Sequence, residues 1–216
     1  MRFKVAMIGA GGIGSNLLRI LAPTLSQSIL SERLGGIEIT IFDSDVVEHN
    51  NLHHQGYSVS DIGKYKVHAL VESLRLFESS SISFTPVNCD VKESTNLGPF
   101  NLAIVCVDSP HARIITHSKC SMWLDLRCRG DNYIAIDYNA DDDLIKSLTD
   151  LNQKAGSCQF EDAIQTGNIQ FGSVAAAVFG SQWIIQHFRM LLGENNVLHP
   201  RIRSESITFG TLRKYM

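Results

Sequence analysis

No two of the five cysteines lie within four residues of one another. That spacing leaves no C-x-x-C zinc pair, and the odd number argues against a disulfide framework. Long basic runs are absent, as is any basic stripe interleaved with aromatics. With a net charge of −3, nucleic-acid binding has no electrostatic support. The short basic patches Arg127/Arg129 and Arg201/Arg203 read as solvated surface or anion contacts. Uninterrupted apolar runs of membrane-spanning length are missing too. The most apolar late segment, Val174–Leu192, is broken by Ser181, Gln182, Gln186, His187 and Arg189, and reads as a buried helix. No repeat, low-complexity stretch or linker divides the 216 residues, so one domain with a substantial core is expected. The sequence opens on a strand, which predicts a cytoplasmic protein without a signal peptide.

What the chain does have begins at Phe3. The apolar run F-K-V-A-M-I goes straight into G-A-G-G-I-G at Gly9–Gly14, followed by a helical pattern from Ser15. Strand, tight glycine turn and helix start make a nucleotide site. Gly9 permits the sharp turn, Gly11 removes a side chain that would bar a phosphate, and Gly14 lets the helix sit close to the strand. The free N–H groups at the positive end of the helix then face an anion. Dehydrogenases, methyltransferases and nucleotidyl transferases all use such a turn, so it does not choose the nucleotide or the reaction.

Pro23 is expected to interrupt the first helix, with Thr24–Arg33 resuming it and Leu34-Gly35-Gly36 ending it. Ile37–Phe42 reads as the second strand and ends in Asp43, which follows Gly14 by 29 residues. That exceeds the roughly 20 expected before a ribose-binding acid. The polar stretch Asp43–Gly56 lies at a strand end, where open α/β sheets hold ligands. Lys64–Phe77 shows a helical face of Val67, Leu70/Val71, Leu74 and Phe77. Ile82–Val87 reads as a third strand. Leu102–Val107 is the continuous apolar run of a strand buried on both faces. Ser109 as N-cap and Pro110 at the first helical position open a helix to about Cys120. Trp123–Arg127 and Tyr133–Tyr138 read as strands joined near Gly130-Asp131. Asp141–Leu151 is a weak helix candidate, with Asp141-Asp142-Asp143 a solvated turn, and Asn152–Gly167 is a polar loop. A long helix from about Asn168 to Leu192 is predicted to bury Phe171, Val174, Val178, Ile185, Phe188 and Leu192, and short strands fill 202–216. This alternation predicts an α/β fold, a Rossmann-like, doubly wound, mostly parallel sheet with helices on both faces. The nucleotide-binding core would take about 1–140, and the C-terminal helix and strands about 168–216.

The stretch D-S-D-V-V-E-H-N-N-L-H-H-Q, followed by D-I-G-K-Y-K, resembles the family of ThiF, MoeB and the ubiquitin-activating enzymes (HesA/MoeB/ThiF). Its pattern is G-x-G-G-x-G, then D-x-D-x-V-x-x-x-N-L-x-R-Q, then a G-x-x-K helix start, then an apolar strand ending in D-N with an Arg beyond. The matches are Gly9, Gly11, Gly12 and Gly14; Asp43 and Asp45; Asn51, Leu52 and Gln55; Gly63 and Lys66; Asp108 and Arg113. The final helix, G-S-V-A-A-A-V-F-G-S, is similar to that family's last long helix, and the long connection before Asp43 resembles the ThiF-like branch of plasmid and phage-type operons.

The resemblance implies an ATP-dependent adenylyltransferase that uses magnesium to activate the C-terminal carboxylate of a small ubiquitin-like or sulfur-carrier protein or a peptide. It also implies a homodimer, or a heterodimer with a homologue. On that reading Asp43 takes the ribose hydroxyls, Lys66 the α-phosphate and Asp108 the Mg2+. Asn51 and Gln55 position phosphates or hold the loop, and Arg113 contacts a phosphate or fixes Asp108. The sequence departs from the pattern at His54, which stands where the family has a phosphate-binding Arg and carries no permanent charge or donor fork. Ser109 replaces the usual Asn. The family's N-terminal helix with its Arg, and its zinc-binding cysteine pairs, are not found. These departures keep open a second reading, a catalytically weakened or inactive scaffold subunit. A third, an NAD-dependent dehydrogenase, uses only the glycine turn.

Blander assignments exist at each position: a loop-capping carboxylate at Asp43, a solvated helix lysine at Lys66, a helix N-terminal charge at Asp108. His49 and His53 have a ligand spacing if helical, but the segment suits the nucleotide loop better. Cys158 is a thioester nucleophile or a plain cysteine, and no neighbouring base or cation in the sequence favours the former. Cys106, in an apolar strand, belongs to the core.

Overall fold

The computed structural model describes residues 1–149, 158–160, 162–198, 200 and 202–213. Eight strands form one sheet: β1 (Phe3–Ile8), β2 (Ile37–Phe42), β3 (Ile82–Val87), β4 (Leu102–Val105), β5 (Trp123–Arg129), β6 (Asn132–Asp137), β7 (Arg203–Ser206) and β8 (Gly210–Arg213). Their order is β3-β2-β1-β4-β5-β6-β7-β8. β3 through β5 are parallel, and β5 through β8 pair antiparallel. The chain leaves β1 toward β2 on one side, while β4 lies on the other. The carboxyl ends of β1 and β4 therefore flank the crevice where such sheets take ligands.

Helix α1 (Gly12–Ser26) and α2 (Ile29–Arg33) follow β1. Pro23 does not interrupt α1, contrary to the expectation. It sits exposed near the last turn and the helix runs on to Ser26. One i→i−4 bond is lost close to an end that would fray anyway, so the cost is borne without a break. Helix α3 (Lys66–Leu74) buries Val67, Leu70, Val71 and Leu74, and a 3-10 turn over Arg75–Phe77 completes the segment. Helix α4 (Pro110–Lys119) starts as expected: Ser109 Oγ accepts from the Ala112 N–H at 3.3 Å, and Pro110 occupies the first turn. Helix α5 (Asp142–Leu148) is capped by Asp141, whose carboxylate accepts from the N–H groups of Asp143 and Leu144. Of the expected loop 152–167, residues 152–157 and 161 lie outside the described residues, and the rest contains α6 (Ala163–Thr166).

Helix α7 (Gly172–Leu191) corrects the sequence reading most. Phe171 and Val178 are 58% and 54% exposed, not buried, and Val174, Ile185 and Leu192 are only half-buried. The buried stripe is small: Gly172, Ser173, Ala176, Ala177, Gly180 and Ser181, then Trp183, Ile184, His187 and Phe188. Small residues at i, i+4 spacing let α7 approach α1 and the sheet closely, so packing depth outweighs side-chain size. A Cβ at Gly180 would lie 2.5 Å from Leu126 Cδ1 and 2.9 Å from Leu17 Cδ1. Gly180→Ala should therefore cost about 1–3 kcal/mol by overpacking, read as a fall in Tm of about 2–4 °C per kcal/mol. An unchanged Tm would show that the leucines yield freely.

Two cores result. Leu17, Leu18, Leu21, Ile39, Leu70, Leu126 and Trp183 fill the face under α1, α3 and α7. Ala6, Ile8, Ala103, Ile115, Trp123 and Ile136 fill the opposite face under α4. α7 shares a core with α1, so the C-terminal part is integral to the N-terminal half.

Candidate functional site

Everything at the carboxyl ends of β1, β2 and β4 converges on one cavity of about 490 Å³. The glycine turn follows β1. Gly9 has φ +101°, and a Cβ there would stand 2.9 Å from the Cys106 carbonyl oxygen and from Val107 Cγ1. Only glycine combines that left-handed φ with that approach. Gly14 lies beneath the turn, where a Cβ would fall 2.0 Å from the Gly9 carbonyl oxygen. At Gly11 a Cβ would meet nothing within 4 Å. It is the Ncap of α1, with no capping side chain, so the unpaired N–H groups of the first turn and the positive end of the helix dipole are directed at the cavity.

From β2 comes Asp43. Its Oδ2 accepts from the Ala10 N–H at 2.7 Å and its Oδ1 from the Asp45 N–H at 2.8 Å. The carboxylate thus caps its loop while still lining the cavity. Burial raises its pKa above the ordinary carboxylate value, opposed by those two N–H groups and by Lys66. Lys66, at the start of α3, is 7% exposed and places Nζ 2.7 Å from Asp45 Oδ2. Asp108 enters from the loop after β4.

The fourth wall is the segment His54–Tyr57. It is stapled to the glycine turn and α1: Tyr57 Oη donates to the Ala10 carbonyl at 2.5 Å, the Gly56 N–H donates to Ser15 Oγ at 3.0 Å, and Arg19 donates to the Gly56 carbonyl. His54 Nδ1, Gln55 Oε1 and Ser173 Oγ are buried without a hydrogen-bond partner among the described residues. Unpaired buried polar atoms are costly, and here they gather around Gly12, whose Cβ would lie 3.3 Å from Ser173 Cβ and 3.5 Å from the His54 carbonyl oxygen. Burial and the neighbouring His53 and Lys66 lower the His54 pKa, so its imidazole is neutral at pH 7.

Of the residues singled out from sequence, Gly9, Gly11, Gly12, Asp43, Asp45, His54, Gln55, Lys66 and Asp108 all line this cavity. Asn51 does not. Its Oδ1 accepts from the Glu48 N–H at 2.9 Å, closing the 3-10 turn His49–His53 and holding the loop. Arg113 also stands back: it donates to the Val107 carbonyl at 2.5 Å and reaches the Asp108 carbonyl at 3.5 Å. It anchors the backbone that presents Asp108. Val91, Lys92 and His111 also line the cavity and carried no sequence signal, nor did Ser173 and Tyr57. Arg127, read as solvated surface or an anion contact, is half-buried and makes an anion contact, with Nη2 2.7 Å from the carboxylate of the fully buried Asp125.

The ThiF family model matches residues 1–209. The chain belongs to the ThiF family. Among curated relatives, the UBA4 adenylyltransferase and sulfurtransferase of Eremothecium gossypii is 33% identical over 115 residues, which is 52% of this chain and 24% of that protein. Ubiquitin-like modifier-activating enzyme 5 of Mus musculus is 28% identical over 136 residues, 55% of this chain and 30% of the relative. The chain thus spans less than a third of the length of these relatives. Among solved structures, E. coli MccB with ATP has a TM-score of 0.66 at 17% identity, covering 97% of this chain and 62% of that one. The Rossmann-like α/β fold expected from sequence is therefore that of the ThiF family. Among the described residues no helix is long and apolar enough to cross a membrane.

Proposed function

We propose that this ThiF-family chain is an ATP-dependent adenylyltransferase acting on the C-terminal carboxylate of a small protein or peptide. The observation that carries this reading is the single cavity in which the α1 N-terminus, Asp43, Lys66 and Asp108 meet. The relatives named as adenylyltransferase and as ubiquitin-like modifier-activating enzyme support it, as does the likeness to MccB, whose structures include ATP and the MccA peptide.

In the reaction an acceptor carboxylate oxygen attacks the α-phosphorus of ATP. A P–O bond forms, the bond to the β-phosphate bridging oxygen breaks, and pyrophosphate leaves with that electron pair. The chain's task is positioning and charge stabilisation. Asp43 is oriented by two backbone N–H groups and retains lone pairs for ribose hydroxyls. Lys66 is held in place by Asp45 until phosphate oxygens share its ammonium. The α1 N–H groups, Ser173 and Gln55 supply neutral hydrogen bonds to the phosphates. Asp108 offers the hard carboxylate oxygen that suits Mg2+, which when bound would neutralise phosphate charge. Titration calorimetry with Mg-ATP, followed by ATP–pyrophosphate exchange with a peptide bearing a free C-terminus, tests the reading. Absence of binding at millimolar ATP would overturn it, and binding without exchange on any acceptor would favour a scaffold.

His54 makes the site pH-sensitive. Its folded pKa lies below the ordinary 6.5, so neutral His54 contributes stability above pH 6.5 that is lost as pH falls through the folded value. Phosphate beside it favours the charged ring. ATP affinity should accordingly rise as pH drops from 8 to 6. His54→Arg should tighten binding about tenfold, on the order of 1.4 kcal/mol for a charge-assisted hydrogen bond, and abolish that pH slope. A slope that survives the substitution assigns it to another group.

A further inference from the structure

Beside the nucleotide cavity lies a second one of about 250 Å³, sharing Cys106, Val107, Asp108 and Cys158 with the first. Three cysteines line it, the buried Cys106 and the partly accessible Cys128 and Cys158. Cys128 lies near the end of β5. Cys158 is brought beside it because the Gly130 N–H donates to the Cys158 carbonyl at 2.8 Å. The next residue fixes that placement: Gln159 Nε2 donates to the Gln170 carbonyl at 2.7 Å, and its Oε1 accepts from the Gln170 N–H at 2.9 Å. Arg129 then stacks over the Phe160 ring at 5.8 Å. The segment is thus pinned on the β5–β6 hairpin, with Cys128 and Cys158 together in the wall of this cavity.

Of the other three cysteines, Cys106 and Cys120 are buried, with burial pushing both thiols up and Cys120 to about 11, while Cys89 is partly accessible but follows β3, which three strands separate from β5 in the sheet. Cys128 and Cys158 are both partly accessible. Its neighbour Cys128 lowers the Cys158 pKa, and Cys158 together with burial raises that of Cys128. Within the pair, Cys158 is the thiol that ionises first, and only the thiolate is nucleophilic.

We propose that Cys128 and Cys158 form a reversible dithiol–disulfide pair, a modification site for small disulfides of the glutathione class, set in the wall between the two cavities. The Cys158 thiolate attacks one sulfur of the small disulfide, whose S–S bond breaks and releases one thiolate. Cys128 then gives its proton to solvent, and its sulfur attacks Cys158 Sγ in the mixed disulfide. The internal S–S bond forms and the second small thiolate leaves. Two protein thiols are oxidised and one small disulfide is reduced to two thiols. Bond formation brings the sulfurs to about 2.05 Å, drawing Cys158 toward β5 and away from the nucleotide cavity that it lines.

The test is incubation of the whole chain in buffered mixtures of reduced and oxidised glutathione, quenched with acid. Thiol titration and non-reducing peptide mapping give the readout. The expected result is a loss of two of the five thiols, a Cys128–Cys158 cross-linked peptide, and reversal by dithiothreitol. Cys128→Ser should trap glutathione on Cys158, whereas Cys158→Ser should leave position 128 unmodified. A stable mixed disulfide on the wild-type chain without the cross-link, pairing of either residue with a different cysteine, or no loss of thiols would each overturn the proposal. The mapping uses the wild-type protein, so an unstable variant does not decide it, and no step requires ATP.

Discussion

Replacing Lys66 with methionine is expected to lower ATP–pyrophosphate exchange by about 10²- to 10³-fold, the cost of removing one donor aimed at charge that develops in the transition state. The fold should survive. Methionine retains the apolar stem that Lys66 buries at the start of α3, and the abandoned Asp45 carboxylate is 65% exposed, so water replaces the lost partner. The neighbouring lysine is the control. Lys64 also carries an ion pair, with Glu72 at 2.9 Å, but its side chain is 41% exposed and it is absent from the cavity. Lys64→Met should leave exchange within twofold, because a solvated ion pair contributes little. Two lysines two residues apart would thus differ by two orders of magnitude. Equal effects would refute the assignment of Lys66 to the phosphate site, and an unchanged rate for Lys66→Met would remove its role altogether.

That contrast between neighbours also shows what a sequence can reveal. Strand, glycine turn and helix start were legible because their chemistry is local: φ +101° at Gly9 and the 2.0 Å approach under Gly14 depend on residues within a few positions. The motif residues from Asp43 to Asp108 were legible through their order and spacing. Asp43, Lys66 and Asp108 lie just past strand ends or at a helix start on one rim of a parallel sheet, where position in the chain translates into position in space. The α7 face was not legible. Periodicity ranks side chains by hydrophobicity, but the closeness of α1 and Leu126 selected glycine, alanine and serine and left Phe171 outside. Ser173 beside Gly12 and Cys158 beside Cys128 were hidden for the same reason: each meeting is made by elements distant in sequence. Arg127 read as solvated surface or an anion contact; that the anion would be Asp125, buried two residues away on the same strand, was hidden, because alternation would ordinarily send both to one exposed face.

That carboxylate, Asp125, supports the second large effect. It is 0% exposed. Arg127 donates to its Oδ2 from Nη2 at 2.7 Å and from Nε at 3.2 Å, His117 Nε2 stands 3.2 Å from the same oxygen, and Arg113 Nε lies 3.5 Å from Oδ1. The His117 ring is fixed by stacking on Trp123 at 3.8 Å. Burial alone would raise the Asp125 pKa, but Arg127, His117 and Arg113 together hold it at about 2. Asp125→Asn keeps the shape and removes the charge, leaving two guanidinium groups in the interior without their counter-ion. Breaking a buried pair in this way costs about 3–5 kcal/mol, read at about 2–4 °C in Tm per kcal/mol. Acid unfolding supplies an independent check. Because the folded pKa lies below the unfolded 3.8, the contribution of Asp125 is fully present above pH 3.8 and is lost as pH falls toward 2. The wild-type chain should lose stability across that window, and Asp125→Asn should lack this part of the loss. The substitution should also reach the active rim. Arg113 ties Asp125 to the carbonyls of Val107 and Asp108, so a loosened guanidinium frees the loop that presents Asp108. Exchange activity should fall further than the unfolded fraction at the assay temperature explains. A variant with wild-type Tm and wild-type exchange would mean that the two arginines find other partners, and that the buried carboxylate is dispensable to both fold and site.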